Sequence, residues 1–369
     1  MVPKELKKSF LNIIKLVFFA MSLITFNFPV MINYKYVRKS FSPTILCINI
    51  WFFVNKAIGS AKERNLIVFC IAFLAIIGVT NVLCKVLAVS CFEKEIEDLF
   101  KWIEKFYLDD DSPAILTKIK NRRLEKTVKF LNKFVITSVP SLLFLIIDAQ
   151  LFYYLNDIQQ IEVPFVSKRT TMILQSGFYF SYFFLFGVPV LCFAILGFIL
   201  IGILRIFNEA IGLFEDDEII KKESILFLHK LNCEIYEKFK IYEKIFSFAI
   251  FTEISLTSCV LITNLVIISI SPQFDFYYYV FFTMALQMLI YCSFGQFIAL
   301  ETERIHTNFY MIKWYDLSQK DEKIFLQMLT MASKPFGFKA AGIYHVNFML
   351  FVNIVKMCYT YYAILYAFI

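Results

Sequence analysis

Among the ionisable side chains that lie inside long apolar runs of this 369-residue chain are Asp148, Glu253 and Lys356. A charge at the centre of a lipid-buried helix costs about 2.5–3.5 kcal/mol on insertion scales, so each must meet a partner, water or a ligand. Asp148 can accept a hydrogen bond from a ligand or bond Tyr182 structurally, and the structural bond is the preferred reading. Glu253 is the lone acid of its run and reads as an inward-facing structural contact rather than an ion-coupling site. Lys356 has no role assigned by its neighbours. Other chemistry is missing. His229, His306 and His345 are isolated, and the nine Cys form no CxxC pair, so neither metal site nor disulfide framework is indicated. There is no GxSxG, no phosphate loop and no pair of acids within one run, so the chain reads as no enzyme and calls for no cofactor.

The elements that must hold these residues are membrane helices. About 20 apolar residues are needed to cross a hydrocarbon core as a helix. Eight stretches qualify by length: Phe10–Ile32, Phe41–Gly59, Leu66–Ser90, Val128–Leu155, Phe178–Ile203, Phe246–Ser271, Phe276–Leu300 and Ile343–Ile369. Backbone polar groups cannot stay unpaired in lipid, which makes them helical. No period-two alternation suggests a β-barrel. The chain is 59% hydrophobic, with only 10 Gly and 9 Pro, so no linker divides it. The fold class is all-α, a polytopic membrane protein forming a single domain over 1–369.

The net charge of +7 is distributed as topology charge, not as a nucleic-acid surface. The loops Cys91–Thr127, Leu204–Ile245 and Glu301–Gly342 together carry 21 Lys and Arg, and the alternate loops carry 4. Cytoplasmic loops hold the basic excess, so the three large loops face the cytoplasm. Seven crossings follow, with the N-terminus inside and the C-terminus outside, the inverse of a G-protein-coupled receptor. The first stretch contains Asn12, Lys15 and Asn27. It is expected to lie in or along the inner leaflet over 1–36 rather than to cross. In the first cytoplasmic loop, Ile96, Leu99, Phe100, Ile103 and Phe106 recur at helical spacing, with charges on the other face. Helix is expected again over Ala114–Lys126 and Glu223–Lys244, so the spans continue into a cytoplasmic layer formed by 91–127, 204–245 and 301–342.

The C-terminal third is the most specific part. Tyr291, Cys292 and Gly295 form a Tyr-Cys-x-x-Gly element read as a turn. After it come Glu301 and Glu303, Tyr310, then Trp314-Tyr315-Asp316, Lys334-Pro335, Gly342 and the terminal Thr360-Tyr361. In order and spacing this resembles the insect odorant receptor family, and Lys85 fits a family position in the second of the seven spans. The related gustatory receptors end in Thr-Tyr, five apolar residues and Gln-Phe. Ala367 stands in the Gln position here, which separates the chain from them and from the odorant co-receptor. The co-receptor's long insertion in the second cytoplasmic loop is also missing.

The resemblance implies a ligand-tuned odorant receptor subunit of a ligand-gated, non-selective cation channel. It would assemble with the co-receptor in a heterotetramer at the plasma membrane of a sensory dendrite, with no nucleic-acid partner. The last helix, 343–369, would line the pore. The family's hydrophobic gate falls on Ile364 and Phe368, which are four residues apart and so share a face. Ala367 removes a polar group near the outer mouth. A gustatory receptor channel is the alternative. A secondary transporter is the remoter one, because only Pro140 and Pro189 interrupt spans and no inverted repeat is evident.

A site for a small apolar volatile needs enclosure, aromatic walls and few polar groups. Aromatic residues make up 18% of the chain. By the family's pocket location, in the outer half between the second, third, fourth and sixth spans, depth nominates Phe73, Ile76 and Ile77 together with Ser141, Phe144, Leu145 and Asp148. From the later spans it nominates Tyr179, Tyr182, Phe183 and Phe186, and Tyr279, Phe282, Thr283 and Leu286. Most aromatics of these spans must face lipid or pack internally.

Overall fold

A computed structural model describes residues 3–24, 35–108, 114–155, 168–213, 221–270, 275–334 and 336–368. The described chain is almost entirely helical. In order it forms α1 (Lys4–Ile24), α2 (Lys35–Lys62), α3 (Leu66–Cys91), α4 (Glu93–Leu108), α5 (Ala114–Leu155), α6 (Lys168–Leu213), α7 (Lys221–Ile270) and α8 (Asp275–Met311). A 3-10 turn at Trp314–Asp316 and α9 (Gln319–Ala332) follow. A small hairpin of β1 (Lys339–Ala340) and β2 (Tyr344–His345) then leads into α10 (Phe348–Phe368). Among the described residues, six helices carry a stretch long and apolar enough to cross a membrane: α2, α3, α6, α7, α8 and α10. α5 continues unbroken from its basic cytoplasmic start through the apolar stretch Val128–Leu155, packed along α6.

The expected cytoplasmic extensions are helical. α5 spans 42 residues and α7 50, both well beyond the roughly 20 needed to cross the hydrocarbon. α4 is amphipathic, burying Ile96, Leu99, Phe100, Ile103 and Tyr107 and keeping its charges outward. α1 is not among the spans, and its buried side is a stripe of Phe10, Ile13, Ile14, Val17 and Met21. Phe10 packs edge-on to Tyr107, with ring centroids 5.5 Å apart, and Phe18 does the same to Phe100 at 5.3 Å. The helix is thus docked on α4, beside α5 and α6. The last part of the first apolar stretch, 25–32, lies outside the described residues.

The main core runs through α1, α4, α5, α6, α7 and α8 and down to α9 and α10. α6 is its axis, with 78% of its most apolar window buried. Gly197 on α6 lets Tyr242 and Phe294 approach: a Cβ there would sit 2.6 Å from the Tyr242 hydroxyl. That hydroxyl donates to the Phe193 carbonyl at 3.1 Å. The Tyr291-Cys292-Gly295 element is not a turn. It lies within the continuous helix α8, where Gly295 is required because a Cβ would meet the Val346 carbonyl oxygen at 2.0 Å. The glycine is there for close approach of the strand that feeds α10, not for a bend.

Candidate functional site

A buried ion pair lies between two of the apolar helices. Lys85 of α3 and Glu253 of α7 are 4% and 1% exposed, and their charged atoms are 2.5 Å apart. The Gln287 side-chain amide of α8 donates to Glu253 Oε1 at 2.7 Å, and the Thr257 hydroxyl lies 3.4 Å from the same oxygen. The Lys85 ammonium sits 4.3 Å above the Phe186 ring of α6. Four spans therefore meet at one charge pair. This agrees with the structural reading of Glu253. What sequence reasoning missed was the partner. Two lone opposite charges in different apolar runs were the signal, since each must be neutralised.

Around this node the nominated pocket residues divide. Tyr182 and Phe186 on α6 and Ile76 on α3 pack against a buried cluster containing Val79, Val82, Leu185 and Val188. Ile77 is buried. Gly78 leaves room for Tyr182: a Cβ at that glycine would lie 3.2 Å from the phenolic oxygen. Phe144 and Tyr279 meet edge-on at 6.3 Å, joining α5 to α8. The half-buried Thr283 spends its hydroxyl on the Tyr279 and Val280 carbonyls. Phe282 and Leu286 are exposed on α8, at 67% and 57%, and are not brought to Tyr182. Phe73 is partly exposed and stacks on Phe69. The side chains of Ser141, Leu145, Asp148, Tyr179 and Phe183 lie outside the described residues, and with them the Asp148–Tyr182 bond. Beside Lys85, a void of about 10 Å³ bounded by Phe193, Phe246 and Tyr291 has room for at most one water. A wider cleft, of about 470 Å³, lies on the cytoplasmic side between α4, α5 and α7, against Trp102, Phe106, Lys105 and Lys230.

α10 is the least enclosed span. Only 11% of its window is buried within this chain. Asn347 caps it, accepting from the Leu350 amide at 2.8 Å. The hairpin before it turns through Ala341 and Gly342, both with positive φ, and the Ala341 amide donates to the Ser247 carbonyl at 3.2 Å. One stripe holds the helix to the bundle: Phe351, Ile354, Cys358 and Tyr362. Cys358 donates to the Ser258 carbonyl at 3.7 Å, and the Tyr362 and Ser269 hydroxyls are 2.7 Å apart. At 100° per residue, the side opposite that stripe carries Asn353, Lys356, Thr360, Ile364 and Ala367, all exposed. The side chain of Phe368 lies outside the described residues.

Toward the cytoplasm a second polar cluster ties α6 to α8. Buried Glu301 accepts from Arg205 at 2.9 Å, Arg304 at 3.1 Å and Asn208 at 3.2 Å, and Asn308 donates to Asn208 at 2.9 Å. Glu303, the other acid of that sequence pair, is exposed.

A family model described as 7tm Odorant receptor matches residues 229–359, the stretch that holds the hairpin, the Glu301 cluster and most of α10. Over that stretch the chain is similar to the odorant receptor family. The chain shares its fold with the insect olfactory receptor OR5 from Machilis hrabei. The TM-score is 0.75 at 14% identity, over 97% of this chain and 98% of that one. The same protein in complex with eugenol superposes with a TM-score of 0.73 at 14% identity, covering 97% and 99%. No curated protein matches the sequence. The chain thus has the fold of a polytopic, all-α membrane protein.

Proposed function

We propose that this receptor is the odorant-tuned subunit of a ligand-gated, non-selective cation channel, with α10 lining the ion path and Ile364 and Phe368 forming the gate. One observation carries the reading: α10 is held to its own bundle along a single stripe and leaves the opposite side free. In a ring of subunits the side facing away from a subunit's bulk points to the axis, and apolar side chains there can close the path by dewetting. The remaining exposed apolar side chains of α10, such as Met349 and Tyr359, are left for lipid or a neighbouring subunit.

The assembly we favour is a heterotetramer with the odorant co-receptor in the plasma membrane of the sensory dendrite. Ala367 supports a need for that partner. Exposed Tyr310, Trp314, Tyr315 and Leu326 in the cytoplasmic layer supply apolar surface suited to subunit contacts. The ligand is a small, largely apolar volatile, in keeping with the eugenol held by the fold relative. It would bind among the outer halves of α3, α5, α6 and α8, and Tyr182, Phe186, Ile76 and Ile77 are the best enclosed of the nominated residues. At about 25 cal/mol per Å² of apolar area buried, such a ligand needs few polar contacts. Binding opens the channel to the extent that the ligand prefers the open arrangement.

The test is current recording against a volatile panel, with and without the co-receptor. Odorant-evoked cation current is expected with it. Ile364→Ala should raise basal current, and Tyr182→Ala should reorder the ligand ranking. Receptor at the cell surface that passes no evoked current in either setting would refute the channel reading.

A further inference from the structure

We propose that Lys356 is a charge filter on the ion path, so that cation flow falls with each copy of this subunit in the channel. This rests on the channel reading above. Lys356, Thr360 and Ile364 follow one another at four-residue spacing, and all three are exposed on the free side of α10. Lys356 therefore lies on the same ridge as the gate residue, two turns or about 12 Å before it. Nothing among the described residues neutralises it. The chain contains no Asp or Glu after Glu322, and among the described residues Lys356 makes no ion pair. By contrast Lys85, which is buried, is neutralised by Glu253. An unpaired ammonium is sustainable at mid-helix only where water reaches it, and in a ring of subunits the axial side supplies that water. Four copies would place four ammonium groups around one path and repel both cations and one another. A mixed ring dilutes that charge, which gives a physical reason for the receptor to depend on a different partner.

The experiment records unitary currents evoked by odorant from the receptor expressed with the co-receptor. Lys356→Gln should raise unitary conductance about twofold per charge removed, the size expected for a unit charge some 8 Å from the ion in water. Lys356→Glu should raise it further, and Lys356→Arg should leave it unchanged. The receptor alone should pass little cation current and gain the most from Lys356→Gln. A readout independent of folding uses Lys356→Cys already at the surface. A thiol reagent bearing an ammonium group should restore the low conductance and one bearing a sulfonate should not, with the unsubstituted receptor insensitive to both. Conductance that ignores the Gln and Glu changes, an Arg variant that shifts as far as the Gln variant, or a Cys variant indifferent to reagent charge would overturn the filter and leave the channel reading standing. Absence of odorant-evoked current from every form at the surface would overturn both.

Discussion

Lys85 and Glu253 bind four helices through one charge pair. Desolvating two ions is expensive, and their attraction offsets it only when geometry and extra hydrogen bonds are good. Gln287 supplies such a bond, and the Phe186 face adds a cation–π contact. Removing one partner leaves an uncompensated buried charge. Lys85→Met or Glu253→Leu alone should therefore cost about 3–5 kcal/mol, read as a lower melting temperature of detergent-solubilised receptor. The double substitution should recover most of the loss. Equal loss in the double and the worse single would mean that the pair does not act as a unit. Gly295 makes a sharper local demand. Ala at that position collides with the Val346 backbone, and overpacking of this kind costs roughly 1–3 kcal/mol. Gly295→Ala should lower stability and disturb gating together, because the displaced strand leads directly into α10. A variant with normal melting and normal currents would show that the strand yields freely.

Among the elements, α4 was the most legible from sequence, because its apolar residues keep a 3.6-residue period while its charges stay on the other face. The long spans were legible from length and hydropathy, and their orientation from the Lys and Arg distribution. α1 was legible as an amphipathic helix. Its docking on α4 was not, because an apolar stripe does not say whether lipid or protein covers it. Phe10 is fully buried against Tyr107, so Phe10→Ala should destabilise by about 3–5 kcal/mol. Phe19, 59% exposed, should lose far less as Phe19→Ala in the same melting assay. Similar losses at both positions would place the helix differently. Gly295 was misread as a turn because glycine marks both bends and close approaches, and only the packed strand distinguishes them. Pairing Lys85 with Glu253 needed the relative rotation of two helices, which no local pattern encodes. The pocket nominations by depth carried no rotational information either. That is why Tyr182 and Ile77 fell inside the bundle and Phe282 and Leu286 fell outside it.

In the whole molecule, burial is unevenly distributed. The most apolar part of α6, within Leu185–Gly212, is largely enclosed, whereas α10 is a span with most of its surface free. The ring of subunits proposed above, meeting at α10, would cover that surface around an axis. The layer of α4, α9 and the extended α5, α7 and α8, clamped at Glu301, would give the proposed ring a base outside the lipid. The central claim, that the free side of α10 faces an ion path, is tested most directly by placing a cysteine at Ile364 and recording odorant-evoked current during application of a membrane-impermeant thiol reagent. The account predicts irreversible block at Ile364→Cys that proceeds faster while odorant holds the channel open. Current that persists unmodified, with and without odorant, at a position confirmed to be at the cell surface would contradict it.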